Sequence, residues 1–185
     1  MSTESDDKLG AALLYTARNA IAQRFGLPTL AVNPPPELAE PGATFVTLTQ
    51  NGRLRGCIGS LEAHRPLLVD VAENALAAAF HDHRFAPLSA EEFTRTRVEV
   101  SVLTTPEAFP VRSEAEAVAR LQPGVDGLLL SYGQKRATFL PQVWEALPDA
   151  HQFLAQLKLK AGLAADFWHP EVSLSRYGAR KWKEK

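Results

Sequence analysis

Arg53-Leu54-Arg55-Gly56-Cys57-Ile58-Gly59-Ser60 brings the chain's single cysteine, two arginines and two glycines into one short run. The thiolate is the reactive form of cysteine, and cations beside it lower the ordinary pKa of about 8.5. On an extended strand Arg53, Arg55 and Cys57 project to the same face, so either guanidinium could turn towards the sulfur. That would make Cys57 a candidate nucleophile or redox centre and Arg55 the group that holds an anionic part of a substrate. Gly56 and Gly59 leave room beside the sulfur for a ligand or for a second backbone. The competing reading is structural. Cys57 is then a small buried hydrophobe, the arginines run their stems over apolar surface, and the glycines mark a bulge or a tight crossing of elements.

Other side chains could join this chemistry. Asp82, Arg84 and Phe85 follow a helix end and could line a groove; Arg84 has the planar fork that recognises carboxylate or phosphate, while in the alternative Arg84 and Asp82 staple the loop and Phe85 plugs the core. Glu99 stands on the polar face of a strand and could pair with Arg55 if their strands are neighbours, orienting a site or satisfying an internal charge. Lys158 and Lys160 fall near a helix C-terminus, where cations favour the dipole without any ligand. Cys57, His64, His81 and His83 have the donor types zinc prefers, but no C-x-x-C or H-x-x-x-H spacing, so no metal site is expected. A dyad of Cys57 with one of these histidines would need proximity that spacing does not supply. Trp168 and Trp182 read as packing and tail residues, since no basic surface accompanies them.

The elements that would position these groups follow from local pattern. Asn51-Gly52 predicts a type I′ hairpin turn between a strand over 44–49 and the Cys57 strand. Pairing residue 50 with 53 sets 48 opposite 55 and 46 opposite 57, placing Val46 and Leu48 on the face of Arg55 and Cys57, with Phe45 and Ile58 on the other. A first helix should run from Ser5 or Asp6 to Phe25, closed by Gly26 and Pro28. Asn33-Pro34-Pro35-Pro36 and Pro41-Gly42 read as a stiff linker. Pro66 suits the first position of a second helix with an apolar stripe of Leu68, Val71, Ala72, Ala75, Leu76 and Ala79. A strand over 97–104 follows, then a short helix with a capping-box pattern at Ser113 to Glu116. A hairpin turning at Gly133-Gln134, a helical turn from Pro141, an Asp149-capped helix to about Ala161 and a strand over 171–177 complete the chain. The fold class is α+β, mostly antiparallel sheet with flanking helices.

Twenty basic and twenty-one acidic residues give a formal charge of -1 with no long run of either sign, which speaks against general nucleic-acid or anionic-membrane binding. No apolar run approaches the roughly 18 residues of a membrane span, and the polar start lacks a secretory pattern, so a cytoplasmic location is expected. A lone cysteine fits a reducing compartment.

Leu54-Arg55-Gly56-Cys57-Ile58-Gly59 resembles the signature of the AMMECR protein family, also called AmmeMemoRadiSam system protein A. The similarity continues through Arg65-Pro66-Leu67, Asp82 to Pro87, Glu99 to Leu103, Gly124 to Leu128, Leu140-Pro141-Gln142-Val143, Lys160-Ala161-Gly162-Leu163 and Trp168. The resemblance implies a large and a small subdomain interleaved in one AMMECR domain over 5–180. The lysine-containing tail from Arg180 to Lys185 reads as frayed from its own sequence, so 1–4 and 181–185 are expected as flexible ends. It adds weight to a functional Cys57 and to Lys160 as a ligand-binding group. Relatives are often encoded beside, or fused to, a Memo-like protein and a radical SAM enzyme, which become the implied partners. His83 stands where the family commonly has proline, so His83 is not a family-implied functional group. Two function classes follow: a small-molecule groove centred on Cys57 and Arg55, with no cofactor implied and the reaction unknown, or a non-enzymatic module that docks a Memo-like or radical SAM partner.

Overall fold

The computed structural model describes residues 3–185; Met1 and Ser2, part of the end read as flexible, lie outside them. Elements occur in the order α1 (Thr3–Arg24), a 3-10 turn (Pro36–Ala39), β1 (Pro41–Gly42), β2 (Thr44–Gln50), β3 (Arg53–Gly59), β4 (Arg65–Pro66), α2 (Leu67–Phe80), α3 (Ala90–Thr94), β5 (Arg97–Leu103), β6 (Glu107–Ala108), α4 (Glu114–Arg120), β7 (Gly127–Tyr132), β8 (Lys135–Phe139), a second 3-10 turn (Pro141–Glu145), α5 (Ala150–Lys160), β9 (Ser173–Tyr177) and β10 (Ala179–Lys183). The fold is α+β with antiparallel sheets, as the pattern of hairpins and helices predicts.

The chain divides into two compact units, one running to Leu103 and taking back Arg180–Lys185, the other Thr104–Ala179. In the first, a four-stranded sheet has the order β10-β5-β2-β3. Val46, Leu48, Val98 and Val100 are fully buried on one face and share a core with Leu67, Val71, Ala75 and Ala78 of α2 and Leu9, Leu13, Ala17 and Ile21 of α1. Leu9, Leu13 and Ile21 fall at the helical spacing that sequence periodicity anticipates, and Ala17 takes the buried place between them, while Thr16 and Ala20, which the same periodicity puts inward, are half-buried. On α2 the buried stripe differs from expectation. Leu68 is exposed, and Asp70 and Asn74 take places on the buried face.

That polar pair is satisfied. Asp70 accepts from Thr44 N and Oγ1 at 2.7 Å, Ser60 Oγ at 2.6 Å and Arg65 Nε at 2.7 Å, and Asn74 Nδ2 donates to Thr44 O and Ser60 Oγ. A buried carboxylate with this many donors ties the start of β2, the end of β3, β4 and α2 into one piece.

The tail expected to fray is instead a strand. Glu184 accepts from Arg18 Nε at 2.5 Å and from Val98 N at 2.9 Å, and its amide donates to Val98 O at 3.0 Å. Trp182 lies against Gly10, where a Cβ would stand 2.2 Å from the indole. Glycine therefore lets the tail seat on α1.

The second unit has a sheet in the order β6-β9-β7-β8, whose core gathers Phe109, Leu128, Leu130, Phe153, Leu154, Leu157 and Leu174. Trp144 stacks on Phe153 with ring centroids 3.8 Å apart. Lys158, read from sequence as a helix-end cation, is fully buried, with Nζ 2.5 Å from Glu114. Gly133 has φ 58° at the β7–β8 turn, with Gln134 outside the positive region, as a type II′ turn requires. Among the described residues no helix is long and apolar enough to cross a membrane.

Candidate functional site

The hairpin turn forms where expected, Asn51 and Gly52 both having positive φ (50° and 74°). The register beyond it is different. Gln50 pairs with Arg53 and Thr49 with Leu54, but Leu48 then faces Gly56, leaving Arg55 as an extra residue in a bulge. A single inserted residue turns every later side chain to the opposite face. Cys57 therefore stands beside Thr47 and not Val46, and Ile58 joins Val46. Glu99 lies across Thr47 on its other side, so Cys57, Thr47 and Glu99 form a row across three strands of the half-exposed face.

Arg55 leaves the thiol altogether. Its Nε and Nη2 bind the two oxygens of Glu92 at 3.0 and 3.1 Å, and Nη2 also donates to Ala86 O. Nη1 is buried without a partner among the described residues, and the Phe85 ring lies 5.8 Å from Cζ. The side chain is 13% exposed. The proposed pairing of Arg55 with Glu99 is corrected: β2 separates their strands, and Glu99 instead meets Lys181 Nζ at 3.3 Å. Arg53 is exposed beside the turn.

The two glycines are filled by the protein itself. A Cβ on Gly56 would stand 2.1 Å from Ala78 O of α2, and one on Gly59 would stand 2.3 Å from the Phe45 ring. They allow close packing within the unit and leave no added space for a ligand.

Since β3 is an edge strand, its outward backbone groups need partners. The loop after α2 supplies them. Cys57 N donates to Asp82 Oδ2 at 2.9 Å, and Arg84 Nη2 lies 3.4 Å from Cys57 O. Arg84 also binds Asp82 through Nε at 2.9 Å and Nη2 at 2.7 Å. The ring of Phe85 is 5.6 Å from Arg84 Cζ. Asp82 and Arg84 thus form the loop staple that sequence had weighed against ligand binding, whereas the core plug expected of Phe85 is corrected: Phe85 is half-buried, joins neither hydrophobic core and lies against Arg55 and Arg84 instead. Arg84 keeps 58% of its side chain exposed.

The electrostatics follow from these contacts. Burial pushes the Cys57 thiol up; the Thr47 hydroxyl, 3.3 Å from Sγ, and the charge of Arg84 oppose the rise without cancelling it, and Asp82 and Glu99 add to it. Cys57 is therefore a neutral thiol at pH 7. The Arg84 side chain, then the amides of Cys57 and Arg84, hold the Asp82 carboxyl well below the usual carboxylate range despite burial. Its carboxylate in turn pushes Arg84 up. Arg55, then the Ser89 amide, lowers Glu92 to about 2.

Lys160 belongs to the second unit, where Nζ donates to Thr138 O at 2.9 Å and lies 5.1 Å from the Phe139 ring. His64 meets Glu62 O in an exposed loop. Among the described residues no three His, Cys, Asp or Glu side chains are grouped to hold a metal ion. Sequence reasoning missed Glu92, although Ser89-Ala90-Glu91-Glu92 has the S-x-x-E capping-box spacing that the structure forms at α3. It also missed Thr47, whose place beside Cys57 depends on the bulge.

A thiol on a clamped edge strand, carried by an α+β chain of two antiparallel-sheet units, defines the class of protein to which these observations lead. The chain belongs to the AMMECR1 family, whose model matches residues 14–182. A relative from Methanothermobacter thermautotrophicus is 43% identical over 146 residues, 76% of this chain and 74% of its own. One from Sulfolobus acidocaldarius is 37% identical over 185 residues, covering 95% of this chain and 82% of its own. The crystal structure of uncharacterized protein PH0010 from Pyrococcus horikoshii superposes with a TM-score of 0.81 at 32% identity, covering 96% of this chain and 92% of that one.

Proposed function

We propose that this chain is a small-molecule-binding component of the AmmeMemoRadiSam system, in which Arg84 receives an anionic group and the rest of the ligand lies beside the neutral Cys57 thiol. The observation that carries this reading is the state of Arg84. Its Nε and one amino group are fixed on Asp82 next to the Cys57 strand, Nη1 bonds to no described residue, and more than half of the side chain is open to solvent. A guanidinium already held in place loses little freedom on binding, which favours affinity. Because Asp82 offsets its charge, binding rests on directed hydrogen bonds more than on net attraction.

Cys57 then contributes shape and a weak hydrogen bond. Nucleophilic attack is disfavoured, because Sγ bonds only to Thr47 among the described residues and burial opposes its ionisation. The Memo-like and radical SAM proteins suggested by the family resemblance would be the partners that supply or consume the ligand. The docking alternative draws on one observation: Leu54, 43% exposed, pairs with Thr49 on the face of Thr47 and Cys57.

Titration with inorganic phosphate and with succinate, followed by amide and Arg Nε NMR shifts, tests the binding reading. Saturable shifts at Arg84 and Cys57 that vanish in Arg84→Gln support it, and unmoved signals contradict it. A pull-down with the Memo-like protein that fails only with Leu54→Asp would favour docking.

A further inference from the structure

The second unit holds an open cavity of about 560 Å³ at the ends of β6 and β9, lined among others by Thr105, Glu107, Gln122, Asp126, Arg176 and Tyr177. All of these residues belong to that unit, and none takes part in the Arg84 site.

Three charged groups of the cavity have hydrogen-bonding capacity to spare. Asp126 is 9% exposed at the side chain; its Oδ2 accepts from Gln122 N at 2.8 Å, while Oδ1 accepts from no described residue. Arg176 Nη1 stands 3.7 Å from Asp126 Oδ2, an ion pair longer than a hydrogen bond. The guanidinium instead lies over the buried Phe109 ring, with Cζ 4.6 Å from the centroid, and Arg120 Cζ lies 4.7 Å from the same ring. Its donors reach no acceptor at hydrogen-bond distance among the described residues. Glu107 is the cross-strand partner of Arg176, so a second carboxylate borders the same cavity.

The unused Asp126 oxygen opens to the cavity, where the donor of a ligand can take the place of water on it. A guanidinium with unused donors favours a planar acceptor. The two demands lie side by side, and a ligand that meets both must carry a cation and an anion close together. In an α-amino acid the amino nitrogen and carboxyl carbon are about 2.5 Å apart by standard bond lengths and angles, a separation suited to groups 3.7 Å apart. The formal charge of the three groups, two carboxylates against one guanidinium, disfavours a simple anion and favours an added ammonium.

We propose that this cavity binds a free α-amino acid, with the ammonium on Asp126 and Glu107 and the carboxylate on Arg176. The side chain of the ligand extends towards Val125, 57% exposed at the rim, and a second cationic group there is welcomed by Glu107.

The test is a titration of the full chain with L-lysine and L-alanine, read by NMR shifts of the Arg176 Nε and the Asp126 amide, with Nα-acetyl-lysine and lysine amide as charge-blocked controls. Saturable binding is expected for the free amino acids, weakened about tenfold or more by either blocking group and by Arg176→Gln. Glu107→Gln, at an exposed strand position, gives a second variant that leaves the core intact, and it should weaken L-lysine more than L-alanine. No saturable shift up to about 10 mM, or binding that the blocked compounds share, overturns the proposal. Phosphate or succinate shifts at Arg84 report separately on the first-unit site, so either reading can fail alone.

Discussion

The Asp82 carboxylate accepts the amide proton of Cys57 at 2.9 Å across 25 residues of chain, closing the outer edge of β3. The loop that carries Asp82 therefore positions the thiol and Arg84 together, and disturbing one contact should disturb both.

Asp82→Ala leaves the Cys57 amide without its acceptor and frees Arg84. A loss of about 1–3 kcal/mol is expected, measured by urea unfolding at pH 7. Amide exchange at Cys57 should accelerate more than exchange in the core of β5.

Acid should weaken this region in a defined direction. Asp82 and Glu92 have folded pKa values below those of the unfolded chain, about 3.9 and 4.3. The unfolded state therefore binds more protons in acid, so their contribution is complete above the unfolded values and is lost as pH falls through the folded ones. Urea midpoints should fall between about pH 5 and 2, with a shallower slope in Asp82→Asn.

Glu92 offers a direct spectroscopic check. Its carboxyl should titrate near 2 in the native chain and move up in Arg55→Ala, stopping short of the ordinary carboxylate range because the Ser89 amide still donates to it, seen by carboxyl-carbon NMR. An unchanged titration would mean that Arg55 does not hold Glu92 in solution.

Gly56→Ala puts a methyl group against a helix backbone carbonyl, whereas Gly59→Ala meets the Phe45 side chain. The first should destabilise by about 1–3 kcal/mol or more and the second by less, since a ring can shift and α2 cannot without repacking the core. Equal losses in urea unfolding would contradict that difference.

Much of this architecture was legible in the sequence because it is set by local chemistry. Asn51-Gly52 dictated the turn, Asp149 capped α5 through the Gln152 amide, and alternating valines at 98, 100 and 102 marked the buried face of β5. The site was less legible. No residue type announces the bulge at Arg55, and alternation counted from the turn puts Cys57 on the wrong face. The activation expected of Arg55 disappeared for that reason, and because its partner Glu92 sits on a five-residue helix too short for hydrophobic periodicity to register. The tail misled in another way: it read as a frayed end, while Trp182 and Glu184 supply the contacts that hold it.

The most direct measurement is the rate of iodoacetamide alkylation of the folded chain against pH, specific because Cys57 is the sole cysteine. A half-maximal rate above the free-thiol value of about 8.5, rising further in Arg84→Gln and returning to the ordinary value in urea, is the predicted result. A midpoint below that of free cysteine would contradict a neutral thiol on a binding surface and restore Cys57 as an activated nucleophile.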